Sequence, residues 1–172
     1  MSLSPTEQKY ILHWGEMGTR WGVNRTVAQI HALLFLANAP LNAEQIAEAL
    51  TVARSNVSNS LKELQSWGLV KVTHVLGDRR DHFVALQDVW AIFRTIVEER
   101  KRREIDPTLT VLRECAIEAE TDGAMEEATR QRMAQVLDFL EMLTDSYDDY
   151  KHLPPATLKR FLTMGGKVAK LL

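Results

Sequence analysis

In a chain whose apolar residues otherwise recur at helical spacing, one segment changes period. On either side of Gly77-Asp78-Arg79-Arg80, the runs "LVKVTHVL" and "DHFVAL" alternate with a period of two. Alternation marks a half-buried strand, and a short glycine-containing link between two such runs marks a hairpin. The chain is therefore predicted to be helical with a single β-hairpin set among its helices.

The segments before the hairpin carry their own punctuation. Ser4 stands as N-cap ahead of Pro5, with Glu7 closing a capping box. In "NRTVAQIHALLFLANAP", Val27, Ile30, Leu33, Leu34 and Leu36 keep helical spacing, and the pattern stops before Pro40. Asn42 and Gln45 form a second capping box in front of a short helix. After a turn around Thr51 and Val52, a further helix runs to about Trp67 and is ended by Gly68. Helix, helix, short helix, helix, hairpin is the order of a winged helix-turn-helix. The predicted fold is mainly α: that module, with a two-stranded β wing, followed by additional helices.

Those additional helices are "DVWAIFRTIVEERKRREI" capped by Asp88, "DPTLTVLRECAIEAE", a long helix from about Ala124 to Tyr150, and a last one after Pro154-Pro155. They exceed what a small winged module needs for its own core, and long amphipathic helices at a chain end commonly build a dimer. Met133, Val136, Leu137, Leu140 and Leu143 form the apolar stripe of the long helix, and "LKRFLTMGGKVAKLL" is a second such segment. The predicted division is residues 1–88 as a DNA-binding domain with its N-terminal helix, and 89–172 as a helical dimerisation and effector region.

The helix before the hairpin is unusual in composition. At about 100° per residue, Val57, Leu61 and Leu64 share one side, which must face the core, and Ser55, Asn59, Lys62 and Ser66 take the other with Ser58 at its edge. A merely solvated face would favour Glu and Lys, because Ser and Asn compete with the helix for backbone hydrogen bonds. Short donors and acceptors fit a DNA major groove instead, where Asn addresses adenine and Ser reaches bases or phosphates. Arg54, at the helix start, suits a guanine edge or a phosphate. Arg79 and Arg80 at an exposed wing tip have no stabilising task, and arginines so placed enter a minor groove or lie on the backbone. The net charge of −2 hides this concentration: from Thr51 to Arg80 there are five basic residues against two acidic ones, a local excess of three positive charges. The acidic excess sits in Asp138, Glu141, Asp145, Asp148 and Asp149, read as a solvated helix face.

The "GxxRTxAxIxxLL" entry to the second helix, the "SNVSxSLxxLxxWGLV" recognition helix and the "GDRRDxF" wing followed by "DVW", in that order, resemble the MarR-type regulators and, among them, the glycine-betaine-repressor-like (GbsR-like) branch. The similarity spans roughly the first two-thirds of the chain. It implies a homodimeric transcriptional regulator, a repressor, on a near-palindromic operator in double-stranded DNA. It assigns Ser55, Asn56, Ser58 and Asn59 to base and phosphate contact and Arg79 and Arg80 to the wing. One departure stands out: the serine that usually caps the recognition helix is Ala53 here, so capping falls to Thr51 or Ser55.

The resemblance also implies a response to a small molecule or an osmotic signal. Tyr10, Trp14, Trp21, Trp90 and Phe93 are the aromatic faces that would hold a quaternary ammonium if the first and fifth helices meet; core packing is the alternative for aromatics at this spacing. Cys115 reads as a small buried hydrophobe, and the five histidines (His13, His31, His74, His82, His152) lack metal-ligand spacing. His74 and His82 are placed as neighbours across the hairpin, read as a solvated pair. In "EERKRREID", arginines balance Glu98, Glu99 and Glu104 as salt-bridged surface. No phosphate loop or nucleophile elbow occurs, no cofactor is called for, and neither a membrane span nor a signal peptide is present, so a cytoplasmic, non-enzymatic protein is expected. The competing reading is a winged-helix module that docks on another protein without reading DNA, since the fold serves both purposes.

Overall fold

The computed structural model of the chain describes residues 3–168. It forms two compact units, residues up to Ile96 and residues from Val97 onward. In the first unit, α1 (Pro5–Arg20) opens on the capping box foreseen from the sequence: the Glu7 amide donates to Ser4 Oγ at 3.3 Å and the Ser4 amide to Glu7 Oε2 at 2.7 Å. It closes at Gly22, whose φ of 75° lets the Val23 amide reach back to the Gly18 carbonyl at 2.8 Å. The chain re-enters at once as α2 (Arg25–Leu36), capped by the Asn24 side chain, which accepts from the Thr26 amide.

α2 is the hub of this unit. Val27, Ala28, Ile30, His31, Ala32, Leu33 and Leu34 are all buried, so the helix is enclosed on nearly every side. Ile46 from α3 (Ala43–Leu50), Val57, Leu61 and Leu64 from α4 (Arg54–Ser66), Leu69, Val70, Phe83 and Ala85 from the wing and Ile92 from α5 (Val89–Arg100) complete the core around it. Burial of such side chains contributes on the order of 2 kcal/mol each.

The wing is β2 (Val70–Val75) and β3 (Asp78–Ala85), antiparallel, joined through Leu76 and Gly77 with φ of 86° at the glycine. It is part of a three-stranded sheet rather than a free two-stranded ribbon, because β1 (Leu41–Asn42) adds to β3 in the order β1-β3-β2, pairing Leu41 with Phe83 and Asn42 with His82. Two residues are too few for an alternating pattern to declare itself, so β1 leaves no periodic trace in the sequence. The ladder slips between Thr73 and Val75. His74 is exposed while His82 is buried opposite Thr73 and Asn42, so the two histidines are not the solvated pair expected across the hairpin.

In the second unit, a five-residue π-turn (Lys101–Ile105) leads to α6 (Asp106–Thr121), then α7 (Glu127–Tyr150) and α8 (Pro155–Val168). The last residues of the "LKRFLTMGGKVAKLL" segment, from Ala169, lie outside the described residues. The basic run is salt-bridged as anticipated: Arg102 and Arg103 to Glu99, Arg100 to Glu104, Lys101 to Asp106. Arg113 to Glu141 and Arg130 to the Ala119 carbonyl link α6 with α7. Cys115 is half-buried rather than enclosed, because α6 buries only Leu109 and Ala119.

Candidate nucleic-acid interface

The helix-turn-helix is set by α3 and α4. Asn42 caps α3 through Oδ1, which accepts from the amides of Glu44 and Gln45, and Gln45 Oε1 accepts from the Asn42 amide. α3 ends on Thr51 in the left-handed region, φ 54°, an unfavourable conformation for a β-branched residue and the price of a turn this tight. α4 then starts at Arg54 with Ala53 as N-cap and no side-chain cap. Neither Thr51 nor Ser55 supplies the missing cap: Thr51 is committed to closing α3, and Ser55 already lies inside the helix.

α4 divides as its sequence pattern requires. Val57, Ser60, Leu61 and Leu64 are buried, whereas Arg54, Ser55, Asn56, Ser58, Asn59 and Lys62 are exposed. The helix ends when Gly68, at φ 73°, lets the Leu69 amide return to the Leu64 carbonyl at 3.0 Å, and the chain turns directly into the wing. Ser66 is exposed with this face, but its Oγ is engaged locally, donating to the Glu63 carbonyl. The side chains of Ser55, Asn56, Ser58, Asn59 and Lys62 make no hydrogen bond or ion pair among the described residues, and neither does Arg79 on the exposed start of β3.

Arg80 behaves differently, and here the expectation that both wing arginines lack a stabilising task is corrected. Its guanidinium clamps Asp78 through Nε and Nη2, at 2.9 and 2.5 Å, and reaches Glu44 on α3 through Nη1 at 2.6 Å. The clamp holds the Asp78 carboxyl far below the usual carboxylate range and pushes the arginine up. Glu44 also meets Arg54 at 3.2 Å. Sequence counting missed Glu44 because it precedes the basic segment by a helix. Asn42, Glu44, Arg54, Ser58 and Arg80 line a polar notch of about 260 Å³ between α3, α4 and β3.

The aromatic residues proposed for an effector do not share one cavity. Tyr10 and Trp14 stack on each other, centroids 5.6 Å apart at 13°, and line an apolar cavity of about 100 Å³ with His31, Phe35 and Ile92. Trp21 lines a second, of about 60 Å³, with Trp14, His31 and Trp67. Trp90 and Phe93 line neither. His31 is buried with Nε2 lacking a hydrogen-bond partner, and burial pulls its pKa down to about 4. Among the described residues no cluster of His, Cys, Asp or Glu is arranged to hold a metal ion, and no helix is long and apolar enough to cross a membrane.

Residues 21–81 match the model of the MarR family. The chain is similar to the HTH-type transcriptional repressor GbsR of Bacillus subtilis, with 24% identity over 136 residues, 77% of this chain and 75% of that protein. Its backbone superposes on the crystal structure of a transcriptional regulator with a TM-score of 0.64, covering 86% of this chain and 96% of that one at 17% identity. A transcriptional regulator from Thermotoga maritima aligns more loosely, at a TM-score of 0.40 and 19% identity over 84% of this chain and 90% of that one. The helix order, the winged sheet and the matched segment agree: the chain has a winged helix-turn-helix fold, residues 21–81 carry a match to the MarR family, and most of its length is similar to the GbsR repressor.

Proposed function

We propose that this protein is a transcriptional repressor that binds a near-palindromic operator as a homodimer, with α4 in the major groove and the wing on the flanking backbone. The observation that carries the reading is the contrast between the two faces of α4. One face is fully buried in the core; the other offers Ser55, Asn56, Ser58, Asn59 and Lys62 with no hydrogen-bond or ion-pair partner among the described residues. A rigid helix with unengaged short polar groups outward, flanked by Arg79, which has no partner among the described residues, suits base edges with phosphates beside them. The uncapped start of α4 adds free amides where a phosphate is electrostatically favoured.

Dimerisation is supported by the second unit's lack of a core of its own. Leu109 and Ala119 are the buried hydrophobic residues described there, whereas Val136, Phe139, Met142 and Leu143 of α7 are each about half exposed. A second copy of the chain would cover them. The paired cavities around Trp14 and His31 are the place where a small molecule would act, and the osmotic signal implied by the sequence resemblance is the first to try.

Binding of the protein to a duplex of arbitrary sequence, titrated with salt, tests the reading. Affinity should fall steeply and linearly on logarithmic axes, with several phosphate contacts in the slope. A protein that shows no binding even at low salt is a docking module for other proteins.

A further inference from the structure

Glu44, in the first turn of α3, touches both elements that would face DNA. Its Oε1 lies 3.2 Å from Nη1 of Arg54 at the start of α4, and its Oε2 lies 2.6 Å from Nη1 of Arg80 on β3. The capping of α3 does not need this side chain, because Asn42 and Gln45 already complete the box. The three side chains are 48%, 70% and 53% exposed in the order Glu44, Arg54, Arg80, so these contacts can exchange with solvent and with ligands. A carboxylate that places one oxygen on each of two guanidiniums presents the same arrangement as the two non-bridging oxygens of a phosphodiester.

We propose that Glu44 is an internal competitor for DNA: it occupies Arg54 and Arg80 in the free protein as a stand-in for a backbone phosphate, and so holds down affinity for DNA of any sequence. The inference rests on the reading that α4 and the wing meet DNA. Phosphate contacts bind every sequence alike, whereas base contacts distinguish them. Arg54 and Arg80 must each give up a carboxylate oxygen before taking a phosphate, which weakens the sequence-blind part of binding. Ser55, Asn56, Ser58 and Asn59 have no such partner among the described residues, so the sequence-reading part is untouched. Arg80 stays aligned when Glu44 lets go, since Asp78 holds its other edge. The acidic residue therefore lowers affinity for every duplex by the same factor and leaves discrimination between sequences to the outward face of α4.

The test uses the full chain and a duplex of random sequence across a range of salt concentrations, comparing the parent with Glu44→Gln, which keeps the length and polarity of the side chain and removes its charge. Glu44→Gln should tighten random-duplex binding about tenfold at low salt and steepen the salt slope by roughly one to two per subunit, the gain fading as salt rises. The same substitution made in an Arg54→Gln/Arg80→Gln protein should give little gain, because the arginines it would free are absent. Equal or weaker binding by Glu44→Gln overturns the proposal, and so does an equal gain in the double-arginine background, which would mean a general charge effect. If no variant, the parent included, shows salt-dependent binding, it is the DNA-binding reading beneath the proposal that has failed.

Discussion

Gly18 on α1 faces Ala28 on α2 so closely that a β-carbon on the glycine would stand 2.6 Å from the alanine's own. No real pair of β-carbons approaches so near, so the helices must separate to admit one. Gly18→Ala gains up to about 1 kcal/mol of helix propensity but overpacks a contact against the hub helix, where insertion costs typically 1–3 kcal/mol. A net loss of about 1 kcal/mol is expected, measured by urea unfolding. Gly15 is a milder case, because its nearest neighbour is the flexible Gln29 side chain, so Gly15→Ala should be better tolerated.

His31 makes stability depend on pH in a defined window. The fold favours the neutral ring, lowering its pKa from 6.5 to about 4. The unfolded chain therefore takes up a proton near pH 6.5 and the folded chain only near pH 4. Stability from this group is full above pH 6.5 and is lost as pH falls, by about 2 kcal/mol at pH 5. His31→Leu removes the unpartnered Nε2 and should flatten this part of the profile without loss at pH 7.5. Unfolding midpoints of parent and variant at pH 7.5 and 5 provide the comparison; parallel declines would exclude His31 as the cause.

The two wing arginines should separate in their effects. Arg79 has no hydrogen-bond or ion-pair partner among the described residues, so Arg79→Ala should leave the unfolding transition unchanged, weaken binding to all duplexes and reduce the salt slope by about one per subunit. Arg80→Ala removes the link between β3, Asp78 and α3, so the wing should also loosen, seen as faster amide exchange in β3. Identical behaviour of the two variants in exchange would contradict the distinction.

Much of the fold could be read from local signals because those signals are physically complete within a few residues. Ser4 with Glu7 and Asn42 with Gln45 are capping boxes in sequence and in structure, Gly68 and Gly77 adopt the positive φ their positions demand, and the Val57, Leu61, Leu64 stripe is the buried one. What escaped the sequence is what depends on residues distant along the chain. β1 exists only because β3 lies beside it, and Glu44 matters only because folding brings it to Arg80, 36 residues away. Thr51 illustrates a different limit: nothing in its chemistry favours the left-handed region, and the turn imposes it. His31 sits within an apolar helical stripe like any core residue, and only its unpartnered ring nitrogen sets it apart.

The central claim is that the outward face of α4 reads sequence, and Asn59 tests it most directly. The side chain is exposed and makes no hydrogen bond or ion pair among the described residues, so Asn59→Ala should leave folding intact. A duplex selected by the parent protein from a random pool, and a scrambled copy of it, should be titrated with both proteins at two salt concentrations. If Asn59 contacts a base edge, the variant should lose roughly 1 to 3 kcal/mol on the selected duplex and almost nothing on the scrambled one, with the salt slope unchanged. Equal losses on both duplexes would make Asn59 a phosphate contact, and no selectivity in the parent protein would contradict the claim that this face reads DNA.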